Sequence, residues 1–215
     1  MAITAIVWVS TIVFFSLSTI LSAYLTKSYF VKKQKNYLYW SIGMWCFALS
    51  DLFEVLFAFG IYNQAMAQVY LVLVAFLVVP LAMGSIELVK SRILKILYIV
   101  YSVITVVLLS YYTFTASIGN IIENSVISGN IPTNVIIWSS SITFPALIII
   151  VAVAALSYIK TRRKKVLWII AGMLAFAVGG MLYISSFPVS IYYTEFLGLV
   201  MLWLGFFDFN ILKKK

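Results

Sequence analysis

The chain contains no histidine, a single cysteine and only 6 acidic residues against 15 basic ones in 215 residues. The missing histidine excludes haem held by a histidine ligand, histidine-bound zinc or copper, and any histidine general base or catalytic triad. One cysteine excludes an internal disulfide and a thiolate metal cluster. Cys46 lies in an apolar run, where a free cysteine acts as a small hydrophobe. Charged residues make up only 10% of the chain, whereas soluble domains carry about 25%, and 64% of its residues are hydrophobic. That composition excludes a soluble enzyme domain and a disordered chain alike. No phosphate loop, nucleophile elbow, metal-ligand spacing or dinucleotide fingerprint is present, so no catalytic residue, metal or cofactor is expected.

Long apolar runs fill the rest. Seven reach spanning length, at 4–25, 38–60, 65–88, 94–115, 134–158, 166–187 and 190–208. They do not alternate apolar with polar residues, as transmembrane strands would. Leu147–Leu156 is apolar on every face, which suits a lipid-embedded helix. The first run lacks the charged leader of a cleaved signal peptide and is read as a membrane helix. The expected fold is therefore an all-α polytopic membrane protein with seven transmembrane helices in a single domain.

The basic residues set the expected orientation. They fall at Lys27, Lys32, Lys33 and Lys35, at Lys90, Arg92 and Lys95, at Lys160, Arg162, Arg163, Lys164 and Lys165, and at Lys213–Lys215. With seven spans all 15 lie on one side. The positive-inside rule then puts the N-terminus out and the C-terminus in. The net charge of +9 is accounted for by topology and by attraction to anionic lipid headgroups. Lys160–Lys165 lacks the interleaved aromatics of single-strand binders, so nucleic acid is not an expected partner. Membrane lipids are, together with another membrane or cytoplasmic protein. Tyr37, Tyr39, Trp40, Tyr111, Tyr112, Tyr158, Trp168, Tyr192 and Tyr193 fall near helix ends, as interfacial belts require.

The acidic residues carry the chemistry. Glu87 and Asp208 sit beside Lys90 and Lys213, and Glu123 belongs to an outer loop. Asp51, Glu54 and Glu195 remain inside apolar spans. Asp51 and Glu54 are three residues apart and share a helix face. Glu195 lies at a depth comparable with Glu54. No Lys or Arg inside any span is available to pair with them. An ionised carboxylate in hydrocarbon costs several kcal/mol, so all three are expected to face the bundle interior as one buried cluster. Ser50, Gln64, Gln68, Tyr70, Tyr192 and Thr194 are its candidate neighbours. Such a cluster serves a proton-titrating switch, a cation or amine site, or a polar lock between helices.

Other residues shape the bundle. Pro80 and Pro145 are expected to kink the third and fifth helices. Ala171, Ala175 and Gly179, with Gly198 and Gly205, form small-residue stripes that permit close helix approach. Gly43-Met44-x-x-Phe47-Ala48 is echoed by Gly172-Met173-x-x-Phe176-Ala177 at a constant offset. The echo suggests two parallel three-helix units joined by the fourth helix, a 3+1+3 pseudo-repeat of the kind found in some transporters.

Two stretches carry a family resemblance, Trp45-Cys-Phe-Ala-Leu-Ser-Asp-Leu-Phe-Glu54 and Leu204-Gly-Phe-Phe-Asp-Phe-Asn-Ile-Leu212. With the seven-helix layout they resemble the membrane region found ahead of bacterial and archaeal histidine kinases. The resemblance implies a sensor that works through an output module, and since the chain ends at Lys215 the output is expected to pass through a partner. The layout is also similar to rhodopsins, but no lysine in the last helix is available to hold retinal. It resembles SWEET sugar transporters too, although the first helix lacks their proline. A non-enzymatic, sensor-like or interaction subunit is expected. A small-solute or proton-coupled transporter and an accessory subunit of a larger complex are the alternatives.

Overall fold

The computed structural model describes residues 2–118, 122–123, 126–127, 131–184 and 190–207, with side chains at 7–118, 131–179 and 193–207. It is a helical bundle. In chain order the helices are α1 (Ala2–Lys32), α2 (Lys35–Ala58), α3 (Gln64–Phe76), α4 (Val78–Val89), α5 (Arg92–Thr115), α6 (Thr133–Thr161), α7 (Lys164–Ile184) and α8 (Ser190–Phe206). α3 and α4 are two parts of one rod that breaks at Leu77, so the described residues form seven rods. Five of them, Val7–Lys32, Lys35–Ala58, Gln64–Val89, Arg92–Thr115 and Thr133–Thr161, are long and apolar enough to cross a membrane. Two short antiparallel strands, β1 (Ile122–Glu123) and β2 (Val126–Ile127), lie in the longest connection.

Helices are what an apolar chain with few partners for its backbone must form, because every N–H and C=O finds its partner within the segment. Hydroxyl side chains follow the same rule. Thr11, Ser16, Ser22, Thr26, Thr105 and Ser110 each donate to the carbonyl four residues earlier. The connections are short and locally capped. The Asn63 side chain accepts from the Met66 amide at 2.8 Å and starts α3. α2 ends in a Schellman turn, with Gly60 at φ +80° and bonds from Gly60 N to Phe57 O and from Ile61 N to Leu56 O. α1 and α6 end alike. Lys33 (φ 54°) and Arg162 (φ 51°) are left-handed, and their amides donate to Tyr29 O and Tyr158 O, both at 2.7 Å.

Several boundaries differ from the sequence reading. α1 continues to Lys32, so Lys27 is helical and the first connection is only Lys33–Gln34. Lys95 and Lys160 likewise belong to α5 and α6. The third rod breaks at Leu77 rather than at Pro80 itself. The physical reason is that proline lacks the amide for the carbonyl four residues back and its ring crowds that carbonyl, so the disruption lands on the preceding turn. Pro145, by contrast, stays inside an unbroken α6. The carbonyl it leaves without an amide donor is that of Ser141, and the Tyr101 hydroxyl of α5 donates to it at 2.6 Å.

Long-range contacts assign the two ends of the bundle. The Lys95 ammonium lies 5.7 Å from the Tyr39 ring centre and pairs with Glu87. The Trp40 and Phe206 rings meet edge-on at 4.6 Å, and Lys165 Nζ donates to Phe207 O at 3.2 Å. The starts of α2, α5 and α7 and the end of α8 therefore share one end, here the basic end. At the far end Trp8 Nε1 donates to Ala58 O at 2.8 Å, and Gln68 Nε2 donates to Thr113 O at 3.0 Å. Trp40 is buried under α4 and is not an interfacial residue; Tyr111, Trp168 and Tyr193 are exposed. The Tyr192 side chain, Asp208 and Lys213–Lys215 lie outside the described residues.

Candidate functional site

The site begins on α2, whose buried face carries Trp40, Met44, Phe47, Asp51 and Glu54. Residues three and four apart stack on one face of a helix, so the face that buries the aromatics buries both acids too. Asp51 is 2% exposed and Glu54 6%. Ser18 of α1 donates its hydroxyl to Asp51 Oδ2 at 2.6 Å, and Tyr70 of α3 donates its phenol to Glu54 Oε1 at 2.7 Å. Glu54 Oε2 is buried with no hydrogen-bond partner.

Glu195 enters from α8. It is half-buried, its Oε2 is buried and without a hydrogen-bond partner, and it stands within electrostatic range of both Glu54 and Asp51. Glu54 and Glu195 line one cavity of about 300 Å³ bounded by α2, α3, α4, α6, α7 and α8. Its wall is mainly apolar, with Met44, Phe47, Phe144, Met173 and Phe176 prominent; Tyr70, Ser139, Ser140, Thr143 and Thr194 add hydroxyls. The cavity reaches Ile131 and Val135 near the start of α6, so it favours the far half of the bundle.

The expected neighbours separate into three groups. Tyr70 bonds Glu54, and Thr194 borders the cavity beside Glu195. Ser50 donates to Phe47 O on its own helix, and Gln68 bonds the end of α5. Gln64 is exposed at the start of α3. Neither Gln64, Ser50 nor Gln68 is hydrogen-bonded to the acids. Ser18 was missed. It is buried on one face of α1 with Thr11 and Ser22, but hydroxyl residues occur on the other faces of that helix as well, so the sequence did not single it out.

Close helix approach surrounds the cavity. A Cβ on Gly43 would stand 2.6 Å from Leu81 Cδ2 and 3.0 Å from Leu77 O. A Cβ on Gly172 would stand 3.0 Å from Gly198 O and 3.3 Å from Leu202 Cδ2. Gly179 packs against Thr194 and Gly198 against Phe176, which explains part of the small-residue stripe. Phe47 and Phe176 meet edge-on at 5.4 Å across the cavity. Trp45 points the other way, half exposed, with its Nε1 donating to Thr26 Oγ1 at 3.0 Å.

The basic residues Lys32, Lys33, Lys35, Arg92, Arg162, Arg163, Lys164 and Lys165 are grouped in the short connections at the basic end and the turns beside them, remote from the acids. Among the described residues no group of three or more acidic or cysteine side chains is arranged to hold a metal ion. Comparison with protein-family models, with curated proteins and with solved structures finds nothing that matches the chain.

Proposed function

We propose that the protein is a non-enzymatic, seven-span membrane subunit of sensor type, with its N-terminus outside and its C-terminus inside. The cavity at Glu54 and Glu195 receives the stimulus, and the basic end passes it to another protein. The observation that carries this reading is the pair of buried, unpaired carboxylate oxygens facing one apolar cavity in the half of the bundle remote from the basic residues. Three acids in a low-dielectric core stay together only when protons or a cation offset their repulsion. Binding or release there therefore changes the force between α2 and α8. The outward placement suits a sensor, and the largely apolar exposed flanks of α1 and α5 suit lipid contact.

The transporter reading is favoured by one further set of matches, which supports the two-unit arrangement. Lys33 and Arg162, Tyr29 and Tyr158, Gly43 and Gly172, and Phe47 and Phe176 are all separated by the same number of residues and play the same parts. Trp40 and Ile169 share that offset too. Leu77 and Gly198, Leu81 and Leu202, and Gly84 and Gly205 share a second, slightly shorter offset. The cavity then falls at the seam of two parallel units, where parallel-repeat transporters bind substrate.

Mild-detergent purification with identification of co-purifying chains tests the sensor reading. Replacing Arg162 and Arg163 with glutamine is expected to lose the partner while impermeant-thiol labelling shows the orientation unchanged. Unchanged partner recovery overturns the partner-facing role of this end.

A further inference from the structure

We infer that the cavity is a binding site for a lipophilic monoamine, an ammonium group on an aromatic or aliphatic body, that enters from the bilayer between α3 and α6. This deepens the sensor reading above by naming its ligand class. Glu54 Oε2 and Glu195 Oε2 are buried without hydrogen-bond partners on the cavity's α2 and α8 sides. Glu54 is held in place because Tyr70 occupies its other oxygen. The sequence places no Lys or Arg between positions 36 and 89 or between 166 and 212, so no chain cation in these helices answers them. Apart from protons, the cation that can compensate them comes from outside the protein.

The wall decides which cation. A hard metal ion wants about six convergent oxygen ligands, and among the described residues no group of three or more acids is arranged to hold one. A sugar would leave most of its hydroxyls unbonded against apolar walls. An ammonium needs two or three acceptors for its N–H groups, and aromatic faces stabilise it further. Phe47, Phe144 and Phe176 supply rings, while Met44 and Met173 supply adaptable apolar contact for the body. The volume of about 300 Å³ suits a small organic molecule.

The route follows from exposure. Val74 on α3 and Phe144 on α6 both line the cavity, and they are 36% and 45% exposed. They mark a lateral mouth between two helices in their apolar middle. A ligand that partitions into lipid before binding reaches that mouth directly.

The test uses the full chain in lipid nanodiscs and two probes of one shape, phenylbutylamine and its neutral counterpart phenylbutanol. The amine is expected to bind more tightly by about tenfold or more, the effect of one charge-assisted hydrogen bond. Glu54→Gln and Glu195→Gln are each expected to reduce amine binding by about tenfold and leave the alcohol unchanged. Val74→Trp, which narrows the mouth, is expected to slow association of both probes. Equal binding of amine and alcohol by the unaltered chain overturns the proposal, whether or not the glutamine variants fold. Retention of the amine preference in both glutamine variants overturns it as well. Neither result touches partner recovery at the basic end, so failure of the ligand class and failure of the sensor reading are read separately.

Discussion

In the α2–α4 hairpin Gly84 lies beneath the Trp40 indole; in the α7–α8 hairpin Gly205 lies beneath Ile169. The backbone partners correspond as well, with the carbonyl of Asn36 beside Gly84 and that of Lys165 beside Gly205. A glycine on the returning helix thus lets the outgoing helix close down near the basic end in both hairpins. What differs is the filling and the polar cargo. The first hairpin seals with a rigid ring and carries two acids on its outgoing helix, Asp51 and Glu54. The second seals with a flexible aliphatic chain and carries one acid, Glu195, on its returning helix. The comparison teaches that packing geometry and polar placement vary separately here. The two hairpins share a frame and present Glu54 and Glu195 to a common cavity from different helices.

The largest expected effect breaks the comparison at the glycines. A Cβ at position 84 would sit 2.2 Å from Trp40 Cδ1 and 3.0 Å from Asn36 O. At position 205 it would sit 2.5 Å from Ile169 Cγ1 and 3.3 Å from Lys165 O. An indole wedged against backbone has no easy retreat, whereas an isoleucine chain can rotate. Gly84→Ala is expected to cost about 3 kcal/mol and Gly205→Ala about 1 kcal/mol, the range of overpacking effects. Thermal unfolding of both variants in one detergent measures this. Equal losses would mean that the two seals are mechanically alike.

A smaller effect isolates the polar cargo of the first hairpin. Tyr70→Phe removes the phenol from Glu54 Oε1 and leaves both carboxyl oxygens without that donor. The expected loss is about 1–2 kcal/mol. Combining it with Glu54→Gln is expected to cost less than the two changes summed, because both act on one contact. Additive losses would show that the phenol stabilises something other than the carboxyl group.

The smallest effect sharpens the likeness. Lys33 and Arg162 hold left-handed conformations that favour glycine. Lys33→Gly and Arg162→Gly are each expected to gain about 1 kcal/mol or less, and by similar amounts. A gain at one site and a loss at the other would show that the two caps only look alike.

Much of the frame was legible in the sequence, because long apolar runs leave the backbone no alternative to helix. Helix ends were less legible. α1 runs on through Lys27 to Lys32 since lysine is a good helix former, and charge alone does not stop a helix. The break at Leu77 was displaced from Pro80 because proline acts on the turn before it. At the site, Asp51, Glu54 and Glu195 stood out by their charge against an apolar background, and Tyr70 by its position. Ser18 did not, because a serine in a helix usually bonds its own backbone and nothing local marks one that reaches across to another helix. Gln68 misled for the opposite reason: its amide is long enough to serve the end of α5 instead of the acids.

The bond from Tyr101 to the Ser141 carbonyl has a mechanical consequence. α5 is the least buried of the five long spans. Yet it is moored to α6 at the carbonyl that Pro145 leaves without an amide donor, where that helix bends most easily. Thr143, Phe144 and Leu147 on either side of the same proline form part of the cavity wall. Any occupant that bends α6 at this proline must therefore lengthen a 2.6 Å bond or draw α5 along with it. α5 runs from there to Arg92 at the basic end, so it works as a stay, carrying a movement of α6 toward the basic end of the bundle.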